Sequence, residues 1–318
     1  MSDRTIRAEH VVKRFKDVTA VNDVSFEVQA GEIFGFLGPN GAGKSTMIGM
    51  LTTLSLPSAG RVAIGGFDGA TQANEVRRIA GVALQEIGLD PQMKSMELLV
   101  LQGRLFGFSR RKAQERALEL LRLVKLDDVR DRAVGKYSGG MRRRLDLAVA
   151  LVHEPEVLFL DEPTTGLDPA SRRDIWAEIR RLNRELGMTI FLTTQYLEEA
   201  DELADRVAII NRGSLQAEGT PTALKAAIGG ESINVTFANE ATMEQARTLL
   251  APFAERVQID RETLRLYLQH AAEAVPGVVS RLNAEGLAPQ SLTLSRPTLD
   301  DVFLKVTGTR YDQERAVA

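Results

Sequence analysis

The run Gly38-Pro39-Asn40-Gly41-Ala42-Gly43-Lys44-Ser45 constrains this chain more than any other part of it. A compact apolar stretch, Ile33 to Leu37, precedes it and a helical stretch follows, so the eight residues read as a tight turn between strand and helix. Glycines let such a turn fold until its backbone N–H groups converge, and the helix N-terminus behind them adds positive potential. The pattern is G-x-x-x-x-G-K-[ST], a phosphate cradle in which Lys44 reaches the β and γ phosphates and Ser45 is placed to ligate Mg2+.

The rest of the N-terminal part suits that turn. Three more short apolar runs, Gly81 to Leu84, Val157 to Leu160 and Thr189 to Thr193, alternate with helical stretches, as in a mostly parallel sheet covered by helices. Ahead of them, Ile6 to Val28 alternates in short β-like runs, Ala8 to Val12 and Val24 to Val28. Between Pro91 and Val134 the pattern turns helical, with Ala117, Leu120, Leu121 and Val124 at three and four spacing. Val207 to Ala217 reads as a hairpin around Asn211, Arg212 and Gly213.

After Gly229 and Gly230 the pattern changes character, which sets the expected domains at 1–229 and 230–310, with a tail over 311–318 and a helical subdomain at about 86–135. The second domain reads strand (Ile233 to Phe237), helix (Ala241 to Leu250), strands (Val257 to Ile259, Leu264 to Leu268), helix (Ala274 to Asn283) and strand (Leu292 to Leu294). That β-α-β-β-α-β order is a ferredoxin-like plan. A closing helix, Leu299 to Val306, is capped by Thr298, with Asp300 and Asp301 in its first turn where carboxylates suit the dipole.

Composition narrows the function. With 318 residues, 44% of them hydrophobic, the chain has material for two cores. The net charge of −3 supplies no general basic field for nucleic acid. Arg142, Arg143 and Arg144, three basic residues opening a helix without aromatic interleaving, read as a solvated or interface face. There is no cysteine, which excludes disulfides, thiolate metal sites and a thiol nucleophile. His10, His153 and His270 show no i, i+4 pairing, and Met93 and Met96 read as packing or partner contacts. No apolar run approaches the roughly 18 residues that span a bilayer.

Val157 to Leu160 leads into Asp161 and Glu162, an apolar strand ending in one carboxylate for Mg2+ and another to polarise the attacking water. A Ser-Gly-Gly turn opening a helix, Ser138-Gly139-Gly140, lies between this pair and the phosphate loop. Taken together, the loop from Gly38 to Thr46, the Ser138-Gly139-Gly140 signature, the Asp161-Glu162 strand end and Gly166-Leu167-Asp168 resemble the ATP-binding subunit of ABC transporters over Ile6 to about Thr220.

That resemblance implies a P-loop ABC ATPase core with an antiparallel β subdomain and the helical subdomain, followed by the small α+β domain. It implies Gln85 as the loop glutamine at the metal site, Phe15 as the aromatic on adenine, and Asp168 among the nucleotide-site residues. It also implies that the signature serves the γ-phosphate bound to the opposite protomer, so that two MgATP join a head-to-tail homodimer. Hydrolysis would then remove contacts that only the closed dimer makes.

The sequence departs from the family at Gln195, where a histidine is usual. An amide can still donate to the γ-phosphate but has no ionisable proton, so a working, slower site is expected. Tyr137 and Met141 also stand where leucine and glutamine are usual.

Gln195, this form of the signature and Pro297-Thr298-Leu299-Asp300-Asp301-Val302-Phe303 together resemble the ATPases of daunorubicin-type drug exporters over nearly the whole chain. The resemblance implies an ATP hydrolase at the cytoplasmic face of the cell membrane, beneath a separately encoded permease that exports a hydrophobic drug, antibiotic or lipid. The rival reading is a soluble ABC-type ATPase acting as a switch on a macromolecular partner. Such proteins carry tandem cassettes or a long coiled-coil insertion, and this chain has one phosphate loop and neither addition.

Overall fold

A hairpin of two long strands leads the chain: β1 (Arg4–Phe15) and β2 (Val18–Gln29) pair antiparallel. They extend well beyond the two short runs read from alternation because bulges break the alternation without ending the pairing. His10 and Asp23 take left-handed φ values of 48° and 53°, and the register shifts between Ala8 and Val11. Each such bulge inserts a residue and flips which neighbours face inward.

The computed structural model describes residues 4–228, 231–260, 262–268 and 270–307. Next come β3 (Ile33–Leu37), α1 (Lys44–Leu51), β4 (Ala59–Ile64), β5 (Phe67–Asp68), α2 (Ala73–Ile79) and β6 (Ala80–Ala83). The helical insert is α3 (Ser95–Leu105) and α4 (Arg110–Leu123). Its ends are tied where Val134 N–H donates to Met93 O (2.9 Å) and Gly135 N–H to Pro91 O (2.8 Å). After it follow α5 (Gly139–Ala150), β7 (Val157–Asp161), α6 (Pro169–Leu186), β8 (Thr189–Thr194), α7 (Leu197–Leu203) and the hairpin β9 (Arg206–Asn211) and β10 (Ser214–Gly219).

Two sheets result: a four-stranded one in the order β2-β1-β4-β5 and a six-stranded one in the order β10-β9-β3-β8-β7-β6. In the second, β9, β3, β8, β7 and β6 run parallel. Buried on both faces, strands such as β3 and β7 read as continuous apolar runs rather than as alternation. Phe26 on β2 and Phe34, Phe36 and Phe191 on the parallel sheet join the two sheets, with ring centroids 5.4 to 5.8 Å apart. Burying each ring contributes about 2–3 kcal/mol. On the other side of the sheet, α3 to α6 build a second core around Leu120, Leu145, Ile175 and Trp176.

The chain divides into two units between Pro221 and Thr222, at the start of α8 (Pro221–Ala226). The division falls ahead of the Gly229-Gly230 boundary read from sequence, and those two glycines lie outside the described residues, as does the 311–318 tail. The earlier boundary has a local cause, since Lys305 Nζ donates to Ala227 O (2.8 Å) and ties the segment to the second unit.

That unit contains β11 (Glu231–Thr236), α9 (Glu240–Leu250), β12 (Arg256–Asp260), β13 (Thr263–Leu268), α10 (Ala271–Ala284), β14 (Ser291–Ser295) and α11 (Leu299–Thr307). Its antiparallel sheet runs β12-β13-β11-β14, the ferredoxin-like order. Ile233, Val235, Phe237, Leu264 and Leu266 pack against Met243, Leu250, Val278 and Leu282 in a core of its own. Among the described residues, no helix is long and apolar enough to cross a membrane.

Candidate functional site

Parallel register brings the chemistry to one sheet edge. β3 pairs β8 with Leu37 opposite Thr194, β7 pairs β8 with Asp161 opposite Thr193, and β6 pairs β7 with Ala83 opposite Leu160. The residues that leave the carboxyl ends of these strands, the phosphate loop after β3, Gln85 after β6, Glu162 after β7 and Gln195 after β8, therefore converge, as the crevice rule for open α/β sheets requires.

The loop's glycines are set by sterics. A Cβ on Gly38 would lie 2.4 Å from Ile210 O, and one on Gly43 2.5 Å from Ala20 O, with φ at 109°. Gly43 caps α1, so the free N–H groups of that helix's first turn face the space the loop encloses. Lys44, the first helical residue, is buried; its Nζ donates to Gly38 O (2.9 Å) and Pro39 O (3.0 Å) and lies 3.1 Å from Glu162 Oε1. Burial pulls the ammonium pKa below its ordinary value, while the charges of Glu162 and Asp161 oppose that fall.

Glu162 is the hub. Its Oε2 accepts from Thr165 Oγ1 (3.0 Å), Gln195 Nε2 (3.2 Å) and Gln85 Nε2 (3.4 Å). Three separate segments, besides the loop that carries Glu162 itself, thus reach one buried carboxylate. Glu162 itself adopts a left-handed φ of 47°, held by bonds from its N–H to Thr193 O (3.1 Å) and Thr193 Oγ1 (3.2 Å). Such a conformation costs on the order of 1–3 kcal/mol in a residue with a Cβ and is found where the surroundings over-determine it. Thr193 Oγ1 also donates to Asp161 Oδ1, fixing the neighbouring carboxylate.

Gln195 was expected to offer its amide nitrogen to a phosphate; in the structure that nitrogen is engaged by Glu162, because a carboxylate can only accept. Its Oε1 is buried and has no hydrogen-bond partner among the described residues. Asp161, Glu162, Lys44 and Gln195 are all buried, whereas Ser45 and Gln85 stand open at the rim, with Thr46 half-buried beside them. Phe15 lies apart at the end of β1, half exposed, with Lys13 Nζ 5.0 Å from its ring centre.

The signature turn stands apart from this cluster. Ser138 caps α5 by accepting from Met141 N–H (3.2 Å). Tyr137 just before it is buried, its hydroxyl bridging Ser95 Oγ (3.0 Å) and Val129 O (2.9 Å), which anchors the turn to the helical insert. A Cβ on Gly140 would lie 3.0 Å from Ser171 Oγ, and one on Gly139 3.5 Å from Leu167 Cδ2. Asp168, expected at the nucleotide, caps α6 instead, accepting from Ala170 N–H and Ser171 N–H (both 3.0 Å) and from Ser171 Oγ (2.6 Å). Those bonds hold its carboxyl below the usual range and seat Ser171 against Gly140.

Two features escaped the sequence reading. Glu199 on α7 is fully buried, accepting from Thr164 Oγ1 (2.8 Å) and Trp176 Nε1 (2.9 Å), and burial raises its pKa. Arg143 is buried rather than solvated, whereas Arg142 is exposed. A charge with a partner three residues on, Asp146, was the only sequence signal for it.

The ABC transporter family pattern matches residues 21–165, and the C-terminal domain pattern of DrrA1-3-like ATP-binding proteins matches residues 219–307. The daunorubicin resistance ATP-binding protein DrrA3 of Streptomyces coeruleorubidus is 44% identical over 97% of both chains. The chain belongs to the ATP-binding subunits of ABC transporters, daunorubicin-resistance type. This ATP-binding subunit is also 40% identical to a Nod factor export ATP-binding protein I of Rhizobium sp. over 98% of its own length and 100% of the relative's.

Among solved structures, an ATP-binding cassette captured as a post-hydrolysis dimer with ADP and Pi matches 68% of the subunit and 98% of its own chain, with a TM-score of 0.61 and 26% identity. The subunit is accordingly an ATP hydrolase coupled to transport.

Proposed function

We propose that two copies of this subunit close head to tail on two MgATP and drive a separately encoded permease that exports a hydrophobic drug, antibiotic or lipid. The observation that carries the reading is Glu162, a buried carboxylate touched by Lys44, Gln85, Thr165 and Gln195 at the carboxyl edge of the parallel sheet. Lys44 and the N–H groups of Gly41 to Thr46 are the phosphate ligands, and Phe15 offers its exposed ring to adenine. Ser45, Asp161 and Gln85 present only oxygen donors, the set that suits Mg2+, which supplies charge neutralisation on the phosphates.

Glu162 accepts a proton from the attacking water as that water approaches in line. Gln195 Oε1, an acceptor with no other partner among the described residues, accepts a hydrogen bond from the water's second O–H and so orients it, that hydrogen staying on the oxygen that attacks. Ser138 and Gly140 of each copy serve the γ-phosphate bound to the partner. The relatives' names support export, since those of Streptomyces coeruleorubidus carry daunorubicin resistance and that of Rhizobium sp. carries Nod factor export. Leu101 and Leu105, one turn apart on α3 and 49% and 74% exposed, give the helical insert an apolar face for the permease. The subunit then lies at the inner face of the cell membrane, where no helix among the described residues is long and apolar enough to cross it.

The test is ATP-dependent dimerisation of Glu162→Gln, followed by size-exclusion chromatography. A dimer formed only with MgATP is expected, with hydrolysis reduced by about 10²–10⁴-fold. A monomer under all conditions, with and without MgATP, would sink the sandwich.

A further inference from the structure

Arg143 lies five residues beyond Ser138 on α5 and is 3% exposed. Its guanidinium uses four donor contacts: Nε to Pro163 O (2.9 Å), Nη1 to Leu84 O (2.6 Å) and Asp146 Oδ2 (3.0 Å), and Nη2 to Asp161 O (3.1 Å). A buried charge is retained only when its donors are met, so this side chain is held by its surroundings and holds them in turn.

The three carbonyls are not arbitrary. Leu84 precedes Gln85, Asp161 precedes Glu162, and Pro163 follows it. One planar fork therefore grips the peptide group leading into the general base, the one between Pro163 and Thr164 just beyond it, and the one leading into the glutamine loop. The helix that carries the fork also carries the signature turn, little more than one turn earlier at its N-terminus, and that turn contributes nothing to the Lys44–Glu162 cluster of its own chain.

We infer that Arg143 is a positioning residue that links the two nucleotide sites of the dimer: it fixes α5, and with it the signature offered to the partner, to the backbone around Glu162 and Gln85 of its own site. This rests on the ATP-sandwich reading above. A change at the Asp161–Glu162 strand end on phosphate binding or release is passed through the fork to a rigid helix, and so to the signature at the opposite site. Because four contacts converge on one planar group, a lysine cannot replace it.

The experiment measures ATP hydrolysis by the full chain against ATP concentration. Wild type is expected to show a Hill coefficient approaching about 2, the number of coupled sites. Arg143→Gln combined with Asp146→Ala, which removes both charges together and leaves neither stranded, is expected to bring it to about 1 and to lower kcat roughly tenfold while KM shifts less than about twofold. Arg143→Lys, which keeps the cation beside Asp146 and a near-native melting temperature, is expected to lower the coefficient without restoring wild-type coupling.

A coefficient unchanged in the folded lysine variant, or a wild-type coefficient of about 1, would overturn the inference while Glu162→Gln still dimerised with MgATP. Absence of that dimer would overturn the sandwich and the inference together, which separates the two failures.

Discussion

Position 195 is a glutamine held by Glu162, and its chemistry has a direct pH consequence. An amide does not titrate, so this position contributes no acid limb to the rate profile. Gln195→His is expected to introduce one near pH 6.5, read from kcat between pH 5.5 and 8, whereas Gln195→Ala lowers kcat at every pH alike. Thr193→Val makes a second prediction at this scale. It removes the hydroxyl shared by Glu162 N–H and Asp161 Oδ1, so a loss of about 1–3 kcal/mol in thermal or urea unfolding is expected, with hydrolysis falling alongside.

Asp146 gives a third. Burial raises its carboxyl to about 6 from 3.8, against the opposing pull of Arg143. A group whose folded pKa is raised contributes stability that is full below about 3.8 and lost as pH rises through about 6. Asp146→Asn abolishes that dependence. The stability of wild type relative to the asparagine variant should therefore grow as pH falls from 7 to 4, by up to about 3 kcal/mol. A difference that stays flat in urea titrations over that range would contradict it.

At the scale of elements, the strands that carry the site were legible because their signals are contiguous. β3 followed by the glycine loop, and β7 followed by Asp161 and Glu162, place burial and function in consecutive residues. The long hairpin was legible only in part, since the left-handed His10 and Asp23 shift the alternation that marks a strand. Arg143 was hidden for a related reason. Successive helical residues point about 100° apart, so three arginines in a row say that one faces inward without saying which. The expected start of α10 at Ala274 came three residues late, since the helix begins at Ala271 and places Pro276 inside it. Proline there lacks an N–H and crowds the carbonyl four residues back. Pro276→Ala is expected to stabilise the second unit by about 1 kcal/mol or more, seen as a raised melting temperature of that unit.

At the scale of the whole molecule, each unit has its own core, and neither requires the other's residues to complete it. Residues 1–221 are expected to bind ATP on their own, and residues 222–310 to melt as a separate cooperative transition by calorimetry. Failure of the second fragment to give a cooperative transition would show that its core is insufficient alone. The ferredoxin-like plan was readable because β-α-β-β-α-β order survives small errors in strand ends. The cut at Pro221 was not, because a glycine pair signals chain freedom while the division is decided by which core claims the intervening helix.

The chain's single tryptophan, Trp176, donates its indole N–H to Glu199, on the helix that begins two residues after Gln195. The protein therefore carries its own optical reporter. An indole in an apolar setting with one carboxylate neighbour emits according to that neighbour's distance and charge, and there is no second tryptophan to dilute the signal. Stopped-flow emission of the unlabelled chain can time the movement of the segment after β8 within a single turnover.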